Sequence, residues 1–174
     1  MKGAIANCMA KLVIDKRGID IWEKVLENAG LDKNTKFLVI QDIDDNTVMK
    51  VINSVCTVLN KSFQKTANAF GIYWMNYYAP KLYPIYFENP KTAKEFLLRM
   101  NEVHNQITKN IKNASPPSFE YEQPDEKTLI ITYKSKRDLM IFFIALIQGV
   151  GKYFNENLTI IQTGKNKVKI IFPF

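Results

Sequence analysis

The residue with the clearest potential for chemistry is His104, the only histidine in the chain. It lies in a stretch, residues 90–113, in which apolar residues recur every three or four positions, as they do along one face of a helix. Those apolar residues are Phe96, Leu97, Met100, Val103, Ile107 and Ile111. His104 falls seven residues from both Leu97 and Ile111, and therefore within the apolar stripe. An imidazole in an apolar interior needs a partner, which a backbone carbonyl, a side chain or a metal could supply.

The limits of this helix can also be predicted from the sequence. We expect Asn89 to be its N-cap and Pro90 to take the first helical position, where a missing N–H costs nothing. The sequence Ser115-Pro116-Pro117 would end it. A lone histidine on an apolar face is more often a hydrogen-bonded core residue than a ligand, because buried polar groups are usually satisfied by protein. The spacing alone therefore leaves the role of His104 open.

A second candidate site is the sequence Tyr133-Lys134-Ser135-Lys136-Arg137, at the end of a β-rich stretch. Alternate side chains of an extended backbone share a face, so Tyr133, Ser135 and Arg137 would point the same way. We call these three residues the donor trio. A phenol, a hydroxyl and a forked guanidinium together form a clamp for one or two carboxylates or a phosphate. The simpler alternative is a strand end with a surface arginine, since short motifs often match by chance.

The segment from residue 70 to residue 87 is dense in aromatic side chains. Its aromatic residues are Phe70, Tyr73, Trp74, Tyr77, Tyr78, Tyr83, Tyr86 and Phe87. Such density is typical either of a thick hydrophobic core or of the wall of a pocket for a large flat ligand.

The elements that must position these residues change in type along the chain. Helical spacing predicts helices at residues 2–16, 19–28, 46–59 and 62–78, the third with an acidic cap at 42–46 and the fourth broken near Pro80. Strand patterns follow at 119–122, 128–134, 159–161 and 168–172, with a helix at 136–155. The predicted fold class is α+β, with an N-terminal helical subdomain packed on a C-terminal subdomain of helices and a small antiparallel sheet.

The composition is that of a globular protein, with 47% hydrophobic and 24% charged residues. No apolar run approaches the roughly 18 residues of a transmembrane helix. The N-terminus, interrupted by Lys11 and Asp15, is typical of an amphipathic helix and not of a signal peptide. Cys8 and Cys56 lack a paired spacing, which favours reduced thiols over a disulfide. These features predict a cytoplasmic location.

The net charge of +7 could indicate a nucleic-acid or acidic-lipid partner. The lysines are scattered, however, and the only tight cluster is Lys134, Lys136 and Arg137. Scattered charge is more typical of a solvated surface than of a binding footprint. We therefore expect contact with neither nucleic acid nor membrane.

Five segments occur in an order that closely resembles the H-NOX family, the haem-binding nitric oxide/oxygen domain of bacterial sensors and of soluble guanylate cyclase. They are MKG at the start, the IDD acidic cap, FxxxMxxVH, ITKxIKxAxPP and YxSxR leading into a helix. The resemblance covers essentially the whole chain. It implies a single haem domain over residues 1–174, with a helical distal subdomain at 1–60, an α+β proximal subdomain at 61–174, and haem b between them.

The resemblance also implies roles for individual residues. His104 would be the proximal haem ligand, and the donor trio would hold the haem propionates. Pro117 would press on the porphyrin and distort it, and Asp45 would pair with Arg137. The distal pocket would be walled by Ile5, Met9, Trp74, Tyr78, Phe142 and Leu146. General haem chemistry agrees, because iron commonly takes an axial imidazole and carboxylates suit an arginine clamp.

Oxygen-binding members of the family place a distal tyrosine where this chain has Phe142. Dioxygen bound to ferrous haem carries partial negative charge and gains from an O–H donor, whereas nitric oxide and carbon monoxide gain less. Losing a hydrogen bond to a charged group costs about 1.5–3 kcal/mol, or roughly ten- to a hundredfold in affinity. Phe142 therefore predicts a sensor that binds nitric oxide and carbon monoxide and excludes oxygen. The alternative is an oxygen-binding sensor in which the indole of Trp74 is the distal donor.

The resemblance implies a signalling domain and not an enzyme. Nitric oxide would weaken the Fe–His104 bond, and the subdomains would rotate and bias a partner protein or fused output domain, such as a chemotaxis transducer or histidine kinase. A haem peroxidase would need a second acid–base residue, and no H-E-x-x-H, G-x-S-x-G or paired C-x-x-C motif is present. A third possibility is a basic nucleic-acid module with stacking aromatic residues.

Overall fold

The computed structural model describes residues 3–109 and 115–173. Its helices are α1 (Gly3–Arg17), α2 (Ile19–Asn28), α3 (Asp45–Val58), α4 (Phe63–Tyr73), a π-helix (Trp74–Tyr78), α5 (Ala79–Leu82), a short 3-10 helix (Pro84–Tyr86), α6 (Ala93–Leu98), α7 (Met100–Thr108) and α8 (Met140–Tyr153). Its strands are β1 (Ser118–Asp125), β2 (Thr128–Lys134), β3 (Thr159–Gly164) and β4 (Lys167–Ile171). None of the helices within the described ranges is long and apolar enough to cross a membrane.

The starts of two N-terminal helices are set by local capping. The carboxylate of Asp44 accepts a hydrogen bond from the Thr47 N–H at 3.0 Å and caps α3. The hydroxyl of Ser62 accepts one from the Lys65 N–H at 3.3 Å and caps α4. Each bond satisfies a backbone donor that a helix start leaves without an intrahelical partner, which is why the sequence located both starts correctly.

The sheet is antiparallel, with the strand order β1-β2-β4-β3. Phe119 lies opposite Tyr133, and Leu129 lies opposite Ile170, on the face of the sheet that is buried. The buried face belongs to a C-terminal core that also contains Phe143 and Ile147 of α8. The predicted α+β class, with a small antiparallel sheet in the C-terminal part, is therefore confirmed.

Helix α8 takes part in both hydrophobic cores. Phe142 belongs to an N-terminal core built from α1 to α4, whereas its neighbour Phe143 belongs to the C-terminal core. The helix lies very close to α4, since a Cβ added to Gly71 would be 2.2 Å from the Ala145 carbonyl oxygen. A Cβ on Gly149 would be 2.3 Å from the carbonyl oxygen of Gly71. Glycine at both positions lets the two backbones touch.

The predicted helix over residues 90–113 is wrong in its start and its continuity. Thr92, not Asn89, is the N-cap, and its hydroxyl accepts from the Glu95 N–H at 3.1 Å. The Glu95 carboxylate reaches back to the Lys91 N–H at 2.7 Å, which completes an arrangement similar to a capping box. Helix α6 ends at Leu98 and α7 begins at Met100. Residues 110–113 of the prediction lie outside the described residues.

Two other helix boundaries also differ from prediction. Pro80 does not break the chain's helical course, because it lies at the start of α5, where no intrahelical N–H bond is required. The helix predicted from residue 136 begins only at Met140. Asp138, with a φ of 48°, takes a left-handed conformation that a helix cannot include.

Candidate functional site

A cavity of about 300 Å³ lies between the two hydrophobic cores. Its lining includes residues from α1, α3, α4, the π-helix, α7, α8, β1 and β2, together with the segment 115–117. The residues predicted for the site that line it are Ile5, Trp74, His104, Pro117, Tyr133, Ser135, Arg137, Phe142 and Leu146. The structure therefore brings together, in one place, residues that are up to 141 positions apart in the sequence.

His104 lies in the middle of α7, where its ring is 5.6 Å from the ring of Phe119 between centroids. Within the described part of the chain its buried Nδ1 makes no hydrogen bond of ordinary geometry. Burial lowers the pKa of His104, and the backbone carbonyl of Met100, one helical turn earlier, opposes part of that shift. The ring is therefore neutral at ordinary pH, which is the form that binds a metal.

The position of α7 is fixed by Asn101, one turn before His104. The side-chain amide of Asn101 donates to the Phe119 carbonyl at 2.8 Å, and its oxygen accepts from the Phe119 N–H at 2.9 Å. The Tyr121 hydroxyl adds a bond to the carbonyl of Leu97 at 2.9 Å. These contacts tie α6 and α7 to β1, so that the imidazole is presented to the cavity from a defined position. Sequence reasoning missed Asn101, since nothing local to it indicates a long-range backbone partner.

The donor trio lines the cavity, although not as one extended strand. Strand β2 ends at Lys134, and Arg137 lies in the turn that follows. The backbone N–H of Arg137 donates to the Ser135 hydroxyl at 3.2 Å. The Tyr133 ring stacks on Phe143, with centroids 4.8 Å apart and an interplanar angle of 11°. The three residues thus line one cavity through a turn, where the sequence had predicted continued extension.

Arg137 also connects three parts of the chain. Its Nε donates to Asp45 at the start of α3 at 2.6 Å, and its Nη1 donates to the carbonyl of Ser115 at 2.8 Å. Burial alone would raise the pKa of the Asp45 carboxyl, but hydrogen bonds and nearby positive charge, including the Arg137 guanidinium, hold it below its ordinary value. The predicted pairing of Asp45 with Arg137 is therefore present.

The opposite wall of the cavity is made of aromatic rings. Phe142 packs edge-to-face against Phe63 at 5.5 Å and against Phe70 at 5.4 Å. Trp74 lies between Phe70, at 5.6 Å, and Tyr78, at 5.3 Å. This wall offers apolar surface and few polar groups to anything within the cavity.

Two residues predicted for the distal wall are not placed at the cavity. Met9 is 1% exposed and packs among the helices of the N-terminal core. Tyr78 lies behind Trp74, where its hydroxyl donates to Asn7 at 2.8 Å. The prediction assumed an α-helix, in which residues four apart share a face. The wide π-turn, closed by a bond from the Ala79 N–H to the Trp74 carbonyl, rotates Tyr78 away.

Several lining residues were not singled out from the sequence. Phe70, Tyr83 and Tyr86 line the cavity and belong to the aromatic segment, whose density was the signal for a pocket wall. Phe119 was recognised only as part of an alternating strand. Its position beside both His104 and Phe143 depends on the pairing of β1 with β2 and could not be read locally.

The residues present fit a haem group. The neutral imidazole of His104 lines an apolar, aromatic slot, and the neutral form is the one that an axial iron ligand requires. Hydroxyl and guanidinium groups line the same slot, and these are suitable donors for the carboxylates of a porphyrin.

Comparisons with known proteins agree with this geometry. The sequence profile of the haem-NO-binding (HNOB) family matches residues 2–162. The chain is 24% identical over 172 residues to soluble guanylate cyclase gcy-34 of Caenorhabditis elegans, covering 96% of this chain and 25% of that protein. It is 24% identical to soluble guanylate cyclase gcy-35 of the same organism, covering 79% of this chain and 20% of that one. The chain thus spans about a quarter or less of the length of these relatives.

Solved structures share the whole fold. An oxygen-binding H-NOX domain related to soluble guanylate cyclases, solved as its oxygen complex, superposes with a TM-score of 0.86 at 27% identity and covers 100% of this chain and 96% of its own. A Cs H-NOX mutant carrying 4-cyano-L-phenylalanine at site 5 superposes with a TM-score of 0.89 at 27% identity, covering 100% and 97%. With the profile match over nearly the full length, these findings show that the chain belongs to the haem-NO-binding, or H-NOX, family of haem-binding gas-sensor domains.

Proposed function

We propose that this domain holds haem b with His104 as the axial iron ligand and senses nitric oxide. The observation that carries the proposal is the neutral imidazole of His104, whose buried Nδ1 makes no hydrogen bond of ordinary geometry within residues 3–109 and 115–173, in the lining of a cavity of about 300 Å³. Tyr133, Ser135 and Arg137 would bind the haem propionates, and Pro117 would press on the porphyrin face. Residues 1–60 would form the distal subdomain and residues 61–174 the proximal one.

The composition of the distal wall supports the proposed selectivity for nitric oxide and carbon monoxide. Phe142 is held between Phe63 and Phe70 and offers no hydrogen-bond donor. An oxygen complex would therefore lack the bond that stabilises its partial negative charge, a loss of roughly ten- to a hundredfold in affinity. Ile5 and Leu146 add further apolar surface to the cavity.

Signalling would depend on what the chain does when His104 is released. When bound, haem would supply the iron that takes up a diatomic gas. Helix α7 is held to β1 through Asn101. If His104 were released from the iron, α7 is the element that would be free to shift. Arg137 joins the sheet to the start of α3, so a movement on the proximal side would be passed to the N-terminal helices. Such a change is a signal only if the gas binds the two arrangements with different affinity.

The recipient of this signal would be a partner protein or a fused output domain, such as a chemotaxis transducer or a histidine kinase. The domain itself would carry no catalytic activity, act in the cytoplasm, and contact neither nucleic acid nor membrane. The support for a signalling role is the similarity to soluble guanylate cyclases, of which this chain covers about a quarter.

The visible spectrum tests the proposal directly. Purified protein should show a Soret band that shifts when nitric oxide or carbon monoxide is added to the reduced form, but not when air is admitted. A colourless protein that cannot be loaded with haem would overturn the haem assignment. A His104→Gly protein that gives the same output change with nitric oxide would contradict the signalling mechanism.

A second candidate, an oxygen sensor, is favoured by one observation. Trp74 lines the cavity, and its indole N–H donates to no partner in the described part of the chain. A stable oxygen complex that is lost in Trp74→Phe but kept in Trp22→Phe would establish this function instead.

A further inference from the structure

Trp74, which lines the cavity, is held in place by a stack of rings. Its ring lies 5.6 Å from Phe70 with an interplanar angle of 30°, and 5.3 Å from Tyr78 with an angle of 33°. Phe70 also lines the cavity, whereas Tyr78 does not. Tyr78 is therefore the outer member of the stack and supports Trp74 from behind.

Tyr78 is itself anchored by two elements that are distant in sequence. Its hydroxyl donates to the Asn7 side-chain oxygen on α1 at 2.8 Å. The Asn7 amide nitrogen in turn donates to the carbonyl of Phe37, in the segment between α2 and α3, at 2.7 Å. The oxygen and the nitrogen of the Asn7 side-chain amide are thus both hydrogen-bonded, which fixes the orientation of the amide and of the Tyr78 phenol that donates to it.

The Tyr78 hydroxyl keeps its proton over the whole ordinary pH range. Only 7% of this residue is exposed, and burial is the main reason that its pKa is raised to about 12. The phenol is therefore able to donate to Asn7 throughout that pH range.

The Trp74 indole has no comparable anchor of its own. Across residues 3–109 and 115–173 no hydrogen bond is made by its N–H, so ring packing alone sets the direction in which that N–H points. Because Trp74 and Tyr78 are the first and last residues of the π-helix, both ring positions depend on the same wide turn. A change in the Tyr78 ring must therefore change the environment of the indole.

We propose that Tyr78, anchored by Asn7, is a positioning residue that orients the indole of Trp74 within the gas-binding cavity. This inference rests on the proposed function, because the cavity must hold haem for the indole to meet a gas. Tyr78 itself would not touch the gas. The effect of Tyr78 on the bound ligand would pass entirely through Trp74.

The test uses haem-loaded protein in its ferrous carbon monoxide complex, with 5-fluorotryptophan in place of tryptophan. The chain has two tryptophans, so ¹⁹F NMR would give one signal for Trp74 and one for Trp22, which serves as an internal reference. Tyr78→Leu should shift the Trp74 signal and the C–O stretching frequency, and should change the carbon monoxide dissociation rate by about two- to tenfold. Tyr78→Phe keeps the ring but loses the bond to Asn7, and should shift the same signals by less.

The matched control is Tyr77→Phe. Tyr77 belongs to the same π-helix, but it is 54% exposed and packs on Tyr73. This variant should leave both the Trp74 signal and the C–O stretch unchanged.

An unchanged Trp74 signal and C–O stretch in Tyr78→Leu and Tyr78→Phe, with the Trp22 signal intact, would overturn the inference. Should Tyr78→Leu fail to fold, Tyr78→Phe decides alone, because it removes only one hydroxyl. Failure of the proposed function would be distinguishable, since the unsubstituted protein would then form no carbon monoxide complex.

Discussion

The side of the cavity around His104, the proximal side of the proposed haem site, and the side around Phe142, its distal side, are built by different kinds of contact. On the proximal side, directional hydrogen bonds from Asn101 and Arg137 hold the elements around His104. On the distal side, the rings of Phe70, Trp74 and Phe142 are held mainly by packing against one another. Hydrogen bonds depend on direction, whereas the packing of rings depends on shape and volume. Under the proposed function, the first kind of contact would hold the element that moves, and the second would shape the space that the gas enters.

The helices on the two sides differ in the same sense. Helix α7 has nine residues and follows a break at Arg99, so it has little support from its own length. Helix α8 has 14 residues and is buried along both cores. Of these two helices, the one that carries the candidate iron ligand is therefore the shorter and the less deeply packed.

The largest effect should come from removing the imidazole on the proximal side. His104→Gly should reduce haem affinity at least tenfold, because no other histidine in the chain can replace the axial ligand. Haem content and the Soret band after purification would measure this. Free imidazole added to the variant should restore most of the spectrum. A variant with an unaltered spectrum and haem content would show that His104 is not the ligand.

The next largest effect should come from adding a donor to the distal side. Phe142→Tyr places a hydroxyl on the cavity wall and should raise oxygen affinity by roughly ten- to a hundredfold. Oxygen titration of the ferrous protein would measure it. The control is Phe63→Tyr, since Phe63 packs edge-on against Phe142 but does not line the cavity. Equal gains in both variants would argue that the new hydroxyl does not act on the ligand.

A smaller effect is expected when the tie between α7 and β1 is cut. Asn101→Ala removes two hydrogen bonds to the Phe119 backbone and should lower the free energy of unfolding by about 1–3 kcal/mol. Urea denaturation would measure the loss. Asn105→Ala, on the exposed face of the same helix, should change stability by less than about 0.5 kcal/mol. Similar losses in the two variants would mean that Asn101 contributes no more than helix propensity.

The smallest effect concerns pH and the pair formed by Asp45 and Arg137. The pKa of Asp45 is lowered in the folded state, so its stabilising contribution is present above its ordinary value of 3.8 and disappears as the pH falls through the folded-state pKa. Because the Asp45 side chain is 43% exposed, the contribution should be about 1 kcal/mol or less.

Urea denaturation between pH 2 and pH 7 would show this dependence. Arg137→Ala should flatten the acid limb of the curve, whereas Lys165→Ala should not, since Lys165 and Asp138 form a long and largely exposed pair at 3.4 Å. An acid limb that is equally steep without Arg137 would show that Arg137 is not what lowers the pKa of Asp45.

The parts of the structure that could be predicted from the sequence are those fixed by local patterns or by an ordered set of motifs. The Asp44 and Ser62 caps needed only a side chain and the following turn. His104 and the donor trio were found because several motifs occur together in family order, and neither spacing was decisive alone. The identities of the gas ligand and of the output partner remain proposals, because no local sequence pattern specifies them.

The parts that could not be predicted depend on contacts between distant elements. A periodic pattern could not reveal the extra residue in the π-helix, which moved Tyr78 from the cavity to Asn7. The break between α6 and α7 is invisible in an apolar stripe that continues across it. Met9 fits the same spacing as Ile5 but meets other helices instead of the cavity.

Phe142 and Phe143 are neighbours in the chain, yet one faces the distal wall and the other stacks on Tyr133 over the sheet. Adjacent residues thus contribute to two different hydrophobic cores, although both line the same cavity. A substitution at Phe142 should therefore change the cavity wall on the side of the N-terminal core and leave the stacking of Phe143 on Tyr133 in place.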